Sequence, residues 1–232
     1  MTHVLVPVAV LEGESVSLGL MNLLGTMDVT VLGYHVLPEQ TPPDQARLQY
    51  EERATETLAD IAEEFRQAGG DADHRLVFTH DREKTIQRVA EETDARAYAI
   101  RGATGAVDRL LVPVTGDVAI ERILAFVTDL VGDRPIGVTL FLATDEETSE
   151  ARESLDEAAT ILSQPGIDVR TELAVDAAPL QALIEAVAGH DAIVMGERAP
   201  SMRSLLFGDE AARVATETVG PVLVVRRDDR PE

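Results

Sequence analysis

A short apolar motif occurs twice in this chain: His3-Val4-Leu5-Val6-Pro7-Val8 recurs as Arg109-Leu110-Leu111-Val112-Pro113-Val114. Each copy is a buried-strand pattern that stops at Val-Pro-Val and leads into a helical stretch and a second strand. Self-similarity of this kind means a repeated unit, not one long domain. In the first half the patterning predicts strands at 3–8, 28–36, 73–79 and 97–101, with helices at 14–24, 44–68 and 82–94. In the second half it predicts strands at 109–114, 136–142, 168–174, 191–195 and 222–226. The helices between them fall at 118–131, 146–163, 178–189 and 209–218. Strands alternating with helices of these lengths build βα units and a parallel sheet with helices on both faces. The expected fold class is therefore α/β: two tandem three-layer α/β/α domains, residues 1–107 and 108–232, packed as an internal pseudo-dimer.

The two halves differ at their ends. The second closes with DAIVMG, a loop ERAPSMRSLLF, a helix pattern GDEAARVATETVG and the apolar run PVLVV. Asp209 is a good N-cap for that helix, and Gly220-Pro221 ends it. A strand passing through a glycine-bounded loop to a helix N-terminus is a layout that can hold a phosphate, because the first amides of the helix lack partners. The first half has Gly102-Ala103-Thr104-Gly105 after its fourth strand, then runs straight into the strand at 109, so its last helix and fifth strand are missing. Its long second helix enters through Gln40-Thr41-Pro42-Pro43-Asp44, a turn and cap signal. The run Tyr50-Glu51-Glu52-Arg53 reads as a solvated helix face.

Charge excludes several function classes. A net charge of -22 opposes nucleic acid and anionic membrane surfaces. No apolar run reaches membrane-spanning length, and the N-terminus enters a strand directly, so the expected location is the cytoplasm, without membrane insertion. With no cysteine there is no disulfide or thiolate chemistry. Of the 20 basic residues only Lys84 is a lysine. Abundant acid with almost no lysine resembles the proteins of salt-accumulating halophiles, haloarchaea in particular. Molar salt shortens the Debye length to about 3 Å, so the excess charge is tolerated there.

Catalytic and metal chemistry find little support. His3, His35, His74, His80 and His190 lie far apart, with no pair at helical metal-ligand spacing. His35 reads as a satisfied strand-end or core histidine. Glu51/Glu52 and Asp228/Asp229 are charge runs, and Ser201 and Ser204 have no evident base. Leu205-Leu206-Phe207 reads as an anchor of the loop on the core.

The two Val-Pro-Val strand ends, the His35-Val36 pair and the stretch MGERAPSMRSLLFGDEAARVATETVGPVLVVRR together resemble the universal stress protein family in its tandem form. That resemblance implies an adenine nucleotide alpha hydrolase-like, Rossmann-like fold. It also implies where ATP would sit: a strand end VPxD with the aspartate on the ribose, then Gly, two residues, Gly, nine residues and Gly-Ser or Gly-Thr. Carried onto this sequence, the candidate nucleotide site is Val114, Thr115, Ala143, Gly196, Ala199, Gly208 and Asp209. It departs from the pattern at several of these. The aspartate position holds Ala9 in the first half and Thr115 in the second; Ala199-Pro200 replaces a glycine; the loop is one residue short; and Asp209 replaces the hydroxyl residue. A methyl group and a fixed φ restrict backbone approach to phosphate. A carboxylate about 4 Å from a phosphate charge costs about 1 kcal/mol in water and about 4 near a protein surface. A helix N-terminus returns only about 0.3–2 kcal/mol, though Arg198 and Arg203 offset part of the repulsion.

The expected function is thus a non-enzymatic stress-response or regulatory protein that has lost nucleotide binding, needs no cofactor and acts on an unknown protein partner. The alternatives are an ATP- or AMP-responsive module, with slow hydrolysis, and a soluble regulator of a membrane transporter. In similar proteins the last strand pairs across a dimer axis, so 221–226 is the expected seam of a homodimer.

Overall fold

The computed structural model describes residues 1–100, 102, 104–114, 120–144, 148–175, 178–197 and 220–227, in two compact units, Met1–Ile100 and Arg101–Glu232. Unit 1 contains β1 (His3–Ala9), α1 (Leu18–Leu23), β2 (Asp28–Val36), α2 (Pro43–Gln67), β3 (Asp71–Thr79), α3 (Arg82–Glu92) and β4 (Ala97–Ile100). Its strands run parallel in the order β3-β2-β1-β4, with His3 in register with Asp28 and Asp28 with Asp71. Unit 2 contains β5 (Arg109–Pro113), α4 (Ile120–Val131), β6 (Gly137–Thr144), α5 (Ser149–Ser163), β7 (Val169–Val175), α6 (Pro179–Val187), β8 (Ala192–Gly196) and β9 (Val222–Val225). Its order is β9-β8-β5-β6-β7, again parallel. The wiring of unit 2 repeats that of unit 1 and adds one strand. In both, helices cover the sheet, as parallel sheets require.

The core is aliphatic, as the scarcity of aromatic residues demands. Leu5, Leu20, Leu23, Leu24, Met27, Leu32, Leu58 and Phe65 are fully buried in unit 1, and Leu110, Leu111, Phe126 and Phe141 in unit 2. The long helix α2 packs closely on β2 because Gly33 has no side chain: a Cβ there would lie 2.4 Å from a Leu58 methyl. The helices begin at readable signals. Ser17, Asp81 and Thr148 cap α1, α3 and α5 by accepting from the amides of Leu20, Lys84 and Ala151, while Pro43 opens α2. Arg134 closes α4 by donating to the carbonyls of Val131 and Leu130.

Most expected elements fall within two or three residues of those observed, with one correction. The helix expected at 14–24 is shorter: a 3₁₀ turn at Val10–Glu12 comes first, and α1 starts only after the Ser17 cap. The reason is local. Gly13 takes a left-handed conformation at φ 74°, which ends the 3₁₀ turn and folds the chain back. The helix expected at 209–218 lies outside the described residues. In β9, Val222, Leu223, Val224 and Val225 are fully buried.

Candidate functional site

In parallel α/β sheets ligands sit beyond the C-terminal strand ends, where the strand order reverses. That reversal lies between β1 and β4 in unit 1 and between β5 and β8 in unit 2. Three of the seven residues expected at the nucleotide site are found at such ends in unit 2. Val114 follows β5, Ala143 lies near the end of β6 in register with Ala174, and Gly196 ends β8 in register with Val225. Thr115, Ala199, Gly208 and Asp209 lie outside the described residues.

The described rim of unit 2 has its main-chain groups engaged. The Val114 amide donates to Phe141 O at 2.7 Å, and the Glu197 amide donates to Val225 O at 2.9 Å. Glu197, the residue after the retained Gly196, turns its carboxylate back to accept from the Arg227 amide at 3.3 Å. An acid of the protein is therefore already bonded to backbone beside the first glycine of the loop.

Unit 1 carries a tighter version of the same arrangement. Ala9, at the aspartate position, ends β1 and is buried. Its amide donates to Glu14 Oε2 at 2.5 Å, a contact that the Gly13 turn makes possible. Close by, the Arg82 guanidinium lies 5.3 Å from the ring centre of Tyr34, which is buried on β2. Burial pushes the Tyr34 phenol above its ordinary range; the Arg82 charge opposes this and Glu12 adds to it. Glu12, Glu14, Tyr34 and Arg82 were not singled out from the sequence. Their only signal was the glycine at position 13, one residue before an acid that can reach back to the strand.

His3, His80 and His190 make separate contacts. His3 contacts Thr93 O and Thr30 Oγ1, His190 contacts Ala186 O and Thr139 Oγ1, and His80 contacts Leu37 O. His35 departs from the expectation that it is satisfied: it packs against Tyr50 and Phe78, and its Nδ1 is buried without a hydrogen-bond partner among the described residues. Among the described residues no group of three or more His, Asp or Glu could hold a metal, and no helix is long and apolar enough to cross a membrane.

Two α/β units of this wiring fit many chemistries, so relatives are needed to place the chain. The profile of the universal stress protein family matches residues 106–226, just over half of the chain. The chain belongs to the universal stress protein family. Among solved structures, a universal stress protein from Archaeoglobus fulgidus DSM 4304 aligns over 98% of this chain and 97% of its own. Its TM-score is 0.68 at 18% identity, which shows a shared fold. The cytoplasmic domain of a prokaryotic cation chloride cotransporter aligns over 97% of this chain and 95% of its own, with TM-score 0.54 and 10% identity. A universal stress protein from Archaeoglobus fulgidus in complex with dAMP aligns over 51% of this chain with TM-score 0.39 and 19% identity, too little to carry a residue correspondence. No curated protein matches the chain.

Proposed function

We propose that this universal stress protein is a stress-response regulator that acts through protein contacts, without enzymatic activity and without a bound nucleotide. The observation that carries the reading is the Glu14 carboxylate on the Ala9 amide. It places a negative charge of the protein at the strand end where a ribose and phosphates would approach. Glu197 on the Arg227 amide supports the same reading in unit 2. The substitutions at Thr115, Ala199 and Asp209 add to it from the sequence. In this reading unit 1 is a second, shortened copy of the family domain, supported by the shared strand order, and the acidic, lysine-poor surface is an adaptation to molar salt in the cytoplasm.

Small molecules released by denaturing freshly purified protein test this: no adenine absorbance is expected, and stoichiometric adenylate would overturn it. An ATP- or AMP-responsive module is what that second result would establish. A transporter-regulating role has in its favour the fold shared with the cotransporter domain. Co-purification with a membrane transporter in detergent tests that role, and its absence removes it. The homodimer expected through 221–226 belongs to the same proposal, with β9 supplying the pairing strand.

A further inference from the structure

The outermost strands of the two units, β3 and β7, differ in character. In unit 1 the outer strand β3 has an edge carbonyl and its charged side chains engaged. The Arg66 guanidinium from α2 donates to Ala72 O at 3.0 Å, Asp73 accepts from Thr30, and Arg75 pairs with Glu92. In unit 2 the outer strand β7 is open. Arg170, Thr171 and Glu172 are exposed, and neither charge has an ion-pair partner among the described residues.

The main-chain pattern of β7 fixes which groups look outward. Val138 N donates to Asp168 O at 2.9 Å, and β7 pairs with β6 from Val169 to Val175. Successive residues of a strand turn their N–H and C=O to opposite sides. Residues 168, 170, 172 and 174 therefore serve the β6 ladder, while Val169, Thr171, Leu173 and Val175 present theirs to the open edge. Exposed edges are ordinarily guarded against pairing.

This edge is complementary to itself. We propose that β7 pairs antiparallel with β7 of a second copy of this chain, about a two-fold axis at Thr171. Thr171 then faces Thr171 of the second copy in a hydrogen-bonded pair, and Val169 faces Leu173 in the next one, both using the outward groups. Arg170 falls opposite Glu172 of the second copy, and Glu172 opposite its Arg170. These are non-hydrogen-bonded pairs, the class in which side chains approach more closely. Every residue from 169 to 173 meets a compatible partner, as an isologous interface requires. Like charges at 170 and 172 would guard the edge; opposite charges placed evenly about Thr171 select this one register. The proposal does not depend on whether nucleotide binds.

Sedimentation equilibrium of the full chain at tens of micromolar, at the lowest salt where circular dichroism shows it folded, tests the pairing. A dimer is expected. Thr171→Pro removes an outward N–H that β6 does not use, and edge strands tolerate proline there; it should weaken the dimer roughly tenfold or more. Arg170→Glu and Glu172→Arg each set like charges face to face and should each weaken it roughly fivefold, while the double swap restores it. The swap rescue stands even if the proline variant fails to fold. A monomeric wild type overturns the proposal. So does a dimer indifferent to these variants, which would have its seam elsewhere.

Discussion

Thr30 and Thr139 occupy the same place in their units: each is the third residue of the second strand, each is buried, and each holds the Nε2 of a histidine. The histidines come from different places in the chain, His3 from the start of β1 and His190 from the turn after α6. Both tie the end of a helical segment to the sheet, His3 through Thr93 O at 2.7 Å and His190 through Ala186 O at 2.8 Å. The two sites differ in one further bond: Thr30 also donates to Asp73 Oδ1 at 2.5 Å, which makes a three-member chain of His3, Thr30 and Asp73.

That difference predicts unequal costs. Thr30→Val breaks a three-member chain and should cost about 1–3 kcal/mol; Thr139→Val breaks one bond and should cost about 1 kcal/mol. Urea denaturation of the two variants reads this as a larger midpoint shift for Thr30→Val. Equal shifts would mean that Asp73 adds nothing.

Gly220 is predicted to tolerate no side chain. A Cβ there would lie 1.5 Å from the Asp191 carbonyl oxygen, so backbone must move. Asp191 also accepts from the amides of Asp108 and Arg109, both at 2.9 Å, where β5 begins. Gly220→Ala should therefore lower stability by about 1–3 kcal/mol or more, seen as a fall in the thermal midpoint. An unchanged midpoint would contradict the packing described.

Tyr34 predicts an alkaline effect. Its phenol is held above the ordinary value, chiefly by burial, so the fold binds that proton more tightly than the unfolded chain does. The stability this contributes is fully present below the unfolded pKa of about 10 and is lost as pH rises through the folded value. Absorbance titration should show a late-ionising tyrosine among the three, absent in Tyr34→Phe. A titration unchanged by that substitution would place the shift elsewhere.

Salt should matter in the direction set by a net charge of -22. Thermal midpoints are expected to fall as salt is dialysed from molar towards zero, because self-repulsion is no longer screened. A flat series would remove the halophilic reading.

Much of the fold was legible in the sequence because the strands are short β-branched runs with clear stops. β2 falls where expected, at 28–36, and α2 within a residue of 44–68. Periodicity could not show the Glu14 contact, which depends on one left-handed glycine and ends α1's reach towards residue 14. Nor could it show the character of β7, whose edge is defined by which strands neighbour it and not by its own pattern. The candidate site was read from motif positions; Val114, Ala143 and Gly196 do stand at neighbouring strand ends, while Glu14 and Glu197 were visible only as unremarked acids.

The most direct test of the account is calorimetric titration of ATP into the wild-type chain and into a Thr115→Asp/Ala199→Gly/Asp209→Ser variant, in molar salt with magnesium. The account predicts no saturable heat for the wild type at millimolar ATP and a gain of at least about tenfold in affinity for the variant, the effect of removing about 1.4 kcal/mol of repulsion. Saturable micromolar binding by the wild type would contradict it.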